Sequence, residues 1–183
     1  MAMTAVMTGC NEDSGHPLLS QWDTPHGTPP FSKIKTEHYI PAFEEGIRQS
    51  REEVDAIINN PDAPTFGNTI EALERQGGLL EKVANVFFPL NNSLTSDEME
   101  KIANEVMPKL TELSNDVSLD PRLFKRVKTV YEEYLPKSNL TAEQRMLLEK
   151  TYKGFTRSGA GLGDADKEKY RALTTELSTL TLK

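Results

Sequence analysis

Apolar residues recur every three or four positions along most of the chain after residue 36, which is the spacing of one face of an α-helix. The pattern predicts a first long helix that begins between Thr36 and Pro41 and ends near Asn59. No segment alternates apolar and polar residues in the manner of a strand. We therefore predict an all-α fold of about six helices.

Capping residues predict where four of these helices begin. A capping box places a small polar side chain three residues before a Glu or Gln, so that each side chain satisfies a backbone donor of the other residue. Proline is favoured at the first helical position, directly after such a cap. The predicted starts are Asn68 with Glu71, Thr95 with Glu98, Asp120 with Pro121, and Thr141 with Gln144.

Glycine and proline predict where helices are interrupted. Gly77 and Gly78 interrupt the second helix and predict a close approach of another backbone, because each glycine costs a helix about 1 kcal/mol relative to alanine. Pro108 is expected to kink the third helix, and Pro136 is expected to end the fourth. The loop at 158–163 is expected to lead into a sixth helix, which begins at Asp164 or Ala165.

The last predicted helix carries an apolar stripe that is still running near the end of the sequence. The stripe consists of Tyr170, Leu173, Leu177 and Leu180, and neither a glycine cap nor a proline follows it. We therefore expect the chain to be the front part of a larger protein, truncated in its last helix.

The first 17 residues differ from the rest of the chain. A short apolar run rich in small residues ends at Cys10 and changes abruptly to polar residues. This resembles the end of a bacterial lipoprotein signal, in which the cysteine thiol is lipidated. No basic residue precedes the run, which is shorter than the roughly 7–15 residues of such a region. Two alternatives stay open for residues 1–17: a signal with lipidated Cys10 in the cell envelope or periplasm, or a disordered start of a cytoplasmic protein.

Composition excludes several classes of function. The 183 residues include 28 acidic and 21 basic ones, which gives a net charge of -7. Because the basic residues are dispersed rather than clustered, nucleic acid is not an expected partner. No apolar run reaches the length of about 18 residues that spans a membrane. The single cysteine excludes a disulfide within the chain and a multi-thiolate metal site.

Residues suited to catalysis are few. The imidazoles of His16, His26 and His38 lack the His-Glu-x-x-His spacing with which zinc proteases hold their metal on one helix face. The glycine-rich loop 159–163 follows no strand, lacks a Lys-Ser/Thr ending and precedes Asp164, so we interpret it as a connection rather than a phosphate site. We therefore predict no catalytic and no metal-binding residue in this segment.

Two further sets of residues allow a structural interpretation. The adjacent acids Glu52-Glu53 and Glu132-Glu133 diverge by about 100° around a helix and are expected on its solvated surface. Aromatic residues at helical spacing either pack in the core or line a peptide-binding groove. These residues are Phe87 with Phe88, for which the core is favoured, and Tyr131 with Tyr134.

Five blocks in order along residues 17–183 resemble the N-terminal region of bacterial peptidyl-dipeptidases, which belong to the thimet-oligopeptidase family of zinc metallopeptidases. Each block alone is weak, but five in the right order make coincidence improbable. The first block joins Pro17-Leu-Leu-Ser-Gln-Trp22 to the run from Pro29 to Phe43, and the other four are Pro64 to Glu74, Gly78 to Phe88, Leu123 to Tyr131, and Phe155 to Ala160.

This resemblance implies that residues 18–183 form the N-terminal helical wall of a two-lobed peptidase whose narrow channel admits short peptides. It further implies a zinc ion in the complete protein, held by a C-terminal catalytic half, and oligopeptide substrates. No zinc ligand can be assigned in this chain, and the segment alone is expected to be inactive. Ser96-Asp97 and Ser114-Asn115 depart from the family pattern. The alternative is a non-catalytic helical module that binds peptides or proteins.

Overall fold

The computed structural model describes residues 15–135 and 139–180, and this part of the chain contains helices and connecting loops but no strand. The predicted all-α class is therefore confirmed. Six of the helices have fourteen residues or more, and the short α2 follows a π-helical turn at Phe66–Glu71. The helices are α1 (Tyr39–Ile58), α2 (Ala72–Arg75), α3 (Gly78–Ser93), α4 (Asp97–Leu119), α5 (Pro121–Tyr134), α6 (Ala142–Arg157) and α7 (Asp164–Leu180).

Two of the predicted helix starts are confirmed by the cap geometry. The Asp120 carboxylate accepts hydrogen bonds from the backbone N–H groups of Arg122 and Leu123, at 2.7 and 3.1 Å, and Pro121 is the first residue of α5. Thr141 and Gln144 form the reciprocal capping box that opens α6. These side chains satisfy backbone donors that the helix itself cannot pair.

The other two predicted starts are displaced along the chain. Asn68 is not a cap, because Thr65 caps the turn and exchanges hydrogen bonds with Asn68, which lies three residues further on. Ser96 rather than Thr95 caps α4 and accepts from the Met99 N–H at 3.3 Å. The Ser96 start places three acidic residues in the first turn of α4, where the helix dipole favours negative charge.

The glycine pair separates two helices instead of interrupting one. Gln76 is extended and Gly77 has φ of 76°, a left-handed conformation that favours glycine. A methyl group added at Gly78 would meet nothing within 4 Å, and one at Gly77 would meet only the Ser50 hydroxyl, at 3.6 Å. The predicted close approach at this pair is therefore wrong.

The close approach of two backbones occurs at Gly46 in α1. A Cβ atom added there would lie 2.9 Å from the Leu80 Cα atom of α3, closer than real Cβ atoms come to other atoms. Glycine allows α1 and α3 to cross at this short distance, which brings their apolar faces into contact.

The described residues do not test three of the predictions. Helix α4 runs through Pro108 without interruption, and the predicted kink stays a prediction. Helix α5 ends at Tyr134, and Pro136 lies outside the described residues. Cys10 and the remainder of the signal-like segment also lie outside them.

Within the described residues, no helix combines the length and the apolar character that crossing a membrane requires.

The apolar side chains form two clusters that share helix α1. The N-terminal part of α1 contributes Tyr39 and Phe43 to the first cluster, with α3 and α4. Its C-terminal part contributes Val54 and Ile57 to the second, with α5 and α6. Because one continuous helix supplies both clusters, α1 fixes their relative position.

The polar segment at 15–35 is held against the first cluster by its apolar residues. Leu18 is fully buried, and the Trp22 indole N–H donates to the Pro17 carbonyl oxygen at 2.7 Å. The Lys82 ammonium donates to the Ser20 carbonyl oxygen at 2.6 Å and lies 4.2 Å from the Trp22 ring centroid. Burial of Lys82 lowers the pKa of its ammonium group.

Candidate functional site

An open hollow of about 580 Å³ lies between the two apolar clusters. Helices α3, α4 and α6 form its sides, and the end of α2 closes one end. A second hollow of about 280 Å³ adjoins it and shares Leu110, Ser114 and Ser118 of α4. Because the two hollows share these residues, we treat them as one feature and call it the α4 groove.

The helical repeat explains why this groove is mainly apolar. Residues four apart lie on the same face of a helix, and α3 presents Leu80, Ala84 and Phe88 at this spacing. Helix α4 presents Leu110 and, further along, two serines at the same spacing. The opposite side consists of Thr151, Gly154 and Phe155 of α6 together with Tyr170 and Thr174 of α7.

Polar groups lie at the end of the groove near α2 and also line the second hollow, where Thr111, Asn115 and Ser158 contribute. The Ser50 hydroxyl donates to the Gln76 side-chain oxygen at 2.7 Å. The Gly77 backbone N–H donates to the Glu53 carboxylate at 2.6 Å, so this side chain satisfies a donor at the start of α3. Glu53 is nevertheless exposed, as predicted, and so is Glu52, which pairs with Arg48 at 2.5 Å.

The apolar sides of the groove are suited to binding a ligand. No histidine lines it, and its hydroxyl groups have no imidazole beside them that could act as a general base. Within residues 15–135 and 139–180, no three side chains of His, Cys, Asp or Glu come together in a group that could hold a metal ion. Apolar side chains of an extended peptide match such a surface, since few polar groups would be left unpaired.

The histidines lie away from this groove, at the start of the described chain. The rings of His16 and His38 are 5.0 Å apart between centroids, and the Lys35 N–H donates to His38 Nδ1 at 3.0 Å. Burial and the neighbouring His38 lower the pKa of His16 below its usual 6.5. His26 is exposed and has a left-handed backbone, with φ of 61°. These contacts place His16 and His38 where the leading segment meets the start of α1.

The glycine-rich loop connects α6 to α7, as the sequence predicted. Gly159 has φ of 83°, and a Cβ atom added to it would lie 2.7 Å from the Leu162 side chain. The Ala160 N–H donates to the Phe155 carbonyl oxygen at 3.0 Å, which closes a turn at the end of α6. The backbone donor is thus used inside the turn, and Asp164 begins α7 directly after the loop.

The aromatic pairs divide between the core and the groove. Phe87 is fully buried and makes ring contacts with Tyr39, Phe43 and Phe88 at centroid distances of 5.0–5.4 Å. The core interpretation is confirmed for Phe87, whereas the partly buried Phe88 lines the α4 groove. Tyr131 stacks on Tyr152 at 4.0 Å, at the edge of the second cluster.

One charged junction had no counterpart in the sequence predictions. The Asp116 carboxylate of α4 accepts from Arg51 of α1 at 2.5 Å and from Arg171 of α7 at 2.7 Å. The partners lie 65 and 55 positions away, so no local pattern links them. Asp116 therefore connects three helices, and its two oxygens are both in use.

The chain is similar to two groups of bacterial peptidases. It is 41% identical to the dipeptidyl carboxypeptidases of Salmonella typhimurium and Escherichia coli, over 91% of this chain but 24% of either relative. It is 28% identical to oligopeptidase A of Escherichia coli, over 90% of this chain and 24% of that protein. No family model matches the chain. The match lies in the N-terminal part of the relatives, and the chain spans about a quarter of their length.

Proposed function

We propose that this chain, a homologue of the N-terminal part of dipeptidyl carboxypeptidase and oligopeptidase A, forms one wall of the substrate channel in a peptidase that cleaves short peptides. The observation that carries the proposal is the 41% identity to dipeptidyl carboxypeptidases over 91% of the chain. The proposed role is to bind and orient the peptide, while another part of the complete protein performs the cleavage.

The α4 groove supports a binding role. Its apolar sides and its polar end near Ser50 and Gln76 are suited to an extended peptide, whose apolar side chains would be removed from water. Most residues of the groove lie on helices α3, α4 and α6, each of which packs in at least one of the two apolar clusters. A rigid surface of this kind orients a flexible peptide without a large further loss of entropy in the protein.

Zinc is the metal that we propose for the complete protein. The described residues of this chain do not offer a set of three ligands, so their chemistry does not fit the ion. We therefore assign the metal and the cleavage step to the part of the relatives that lies outside the match, and we derive no step of the reaction from this chain.

A chimera tests this proposal. We would replace the matching region of Escherichia coli dipeptidyl carboxypeptidase with this chain and assay the release of a dipeptide from a chromogenic tripeptide. We expect activity within about tenfold of the parent enzyme, equivalent to a change of about 1.4 kcal/mol in transition-state stabilisation. A chelator should abolish that activity, and added zinc should restore it.

The matched control is the same enzyme with the region deleted, which we expect to be inactive because one wall of the channel is missing. A chimera with the parent's helical circular dichroism spectrum and cooperative unfolding, but no more activity than the deletion, would contradict the proposal.

A further inference from the structure

Helix α7 exposes a row of leucines that nothing in the described chain covers. Leu173, Leu177 and Leu180 are 65%, 61% and 54% exposed. Isolated exposed leucines are common on protein surfaces, but a continuous row is not. We call these three residues the α7 seam.

The opposite face of α7 is already attached to α4, and it is attached by polar groups. The Asn115 side-chain amide donates to the Thr174 hydroxyl at 2.9 Å, and the Lys167 ammonium donates to the Leu119 carbonyl oxygen at 3.0 Å. Arg171 pairs with Asp116 on the same side. These contacts fix the rotation of α7 about its own axis. The leucines are therefore exposed because of how α7 packs on α4, and not because the end of the helix is frayed.

The spacing of the seam identifies what kind of surface would cover it. Leu173, Leu177 and Leu180 follow intervals of four and three residues, the spacing of a heptad row that packs against one other helix. One flank of this row carries charges of both signs, Lys169 and Glu176, which lie seven residues apart. An aligned helix with its own apolar row and a basic residue beside Glu176 would complement this surface.

We propose that the α7 seam is the docking surface for a helix from the part of the peptidase that lies beyond the region matched here. This inference rests on the proposed function. About three quarters of the length of each dipeptidyl carboxypeptidase lies outside the match, so such a protein has ample chain to supply the helix. The seam is thus the place where the channel wall is held by the catalytic part.

A second copy of this chain fits the seam less well. In an antiparallel pair that stacks Leu173 on Leu177 of the other copy, the Glu176 side chains of the two copies lie on the same side, near the symmetry axis. Two carboxylates facing each other at that point disfavour self-association. The charge pattern therefore favours a helix of different sequence.

Cysteine footprinting tests the seam without reference to activity. We would place Leu177→Cys in a Cys10→Ser background, both in the isolated chain and in the chimera, and follow maleimide labelling at that position by mass spectrometry. We expect labelling to slow by about tenfold or more in the chimera, because a buried thiol reacts only when the interface opens. The matched control is Leu94→Cys, which replaces a leucine that is 73% exposed and lies on the loop before α4; its labelling rate should be the same in both proteins.

The outcomes separate this inference from the proposed function. Protection of residue 177 only in the chimera supports the docking of a helix on the seam, whether or not the chimera is active. Equal labelling in both proteins contradicts that docking, and an active chimera with the same result leaves the proposed function standing. Protection in the isolated chain that grows with protein concentration also overturns it, since a second copy would then be the occupant.

Discussion

Replacing Phe87 with alanine is expected to lower the free energy of unfolding by about 3–5 kcal/mol, the range for large aromatic residues in a core. Phe87 is fully buried, and its ring packs edge-on against Tyr39 and Phe43 of α1. The substitution removes these contacts and leaves a cavity at the junction of α1 and α3. Urea denaturation followed by circular dichroism measures the change.

Phe31→Ala is the control for this substitution. The Phe31 side chain is 55% exposed, and its removal is expected to change the free energy of unfolding by about 0.5 kcal/mol or less. A loss below about 1 kcal/mol for Phe87→Ala would contradict the packing described for the first cluster.

Gly46→Ala is expected to destabilise the protein by about 2 kcal/mol, although alanine is the better helix former. On helix propensity alone, the substitution in α1 would add about 1 kcal/mol of stability. The new methyl group would lie 2.9 Å from the Leu80 Cα atom, and a backbone atom cannot move aside as a flexible side chain can. Helices α1 and α3 must separate, which loosens the contacts of the first cluster.

Gly154→Ala provides the matched comparison for Gly46→Ala. Gly154 lies inside α6, and a methyl group added there meets nothing within 4 Å. This substitution is expected to stabilise the protein by about 0.5–1 kcal/mol through helix propensity. Opposite signs for the two variants in thermal or urea unfolding are the expected result, and a stabilising Gly46→Ala would contradict the close helix crossing.

Local signals in the sequence were sufficient for the long helices, but not for the break between α2 and α3 at Gln76 and Gly77. Asp120 and Thr141 were identified correctly as caps because a second signal marks each start, a proline directly after Asp120 and a glutamine three residues after Thr141. Asn68 and Thr95 were wrong because a neighbouring side chain, Thr65 or Ser96, can cap equally well. The choice between such competitors depends on the packing of the helix, which a local pattern does not contain.

The groove and the junctions between helices could not be predicted in this way. The α4 groove is lined by residues of α3, α4 and α6, which are far apart in the sequence, so no local pattern predicts it. The glycine pair at 77–78 suggested the close approach at the wrong position, because left-handed turns and tight crossings both select glycine. The exposed leucines of α7, by contrast, agree with the sequence analysis, which found an apolar stripe on the last helix still running near the end of the sequence.

The proposal that this chain is part of a larger peptidase is tested most directly by sequencing the gene downstream of codon 183. We expect the frame to continue and to encode His-Glu-x-x-His, in a region corresponding to the unmatched part of the dipeptidyl carboxypeptidases. Such a motif would join this helical wall to a zinc-dependent catalytic part. A stop codon directly after Lys183 would contradict the claim and would favour a helical binding module without catalytic chemistry.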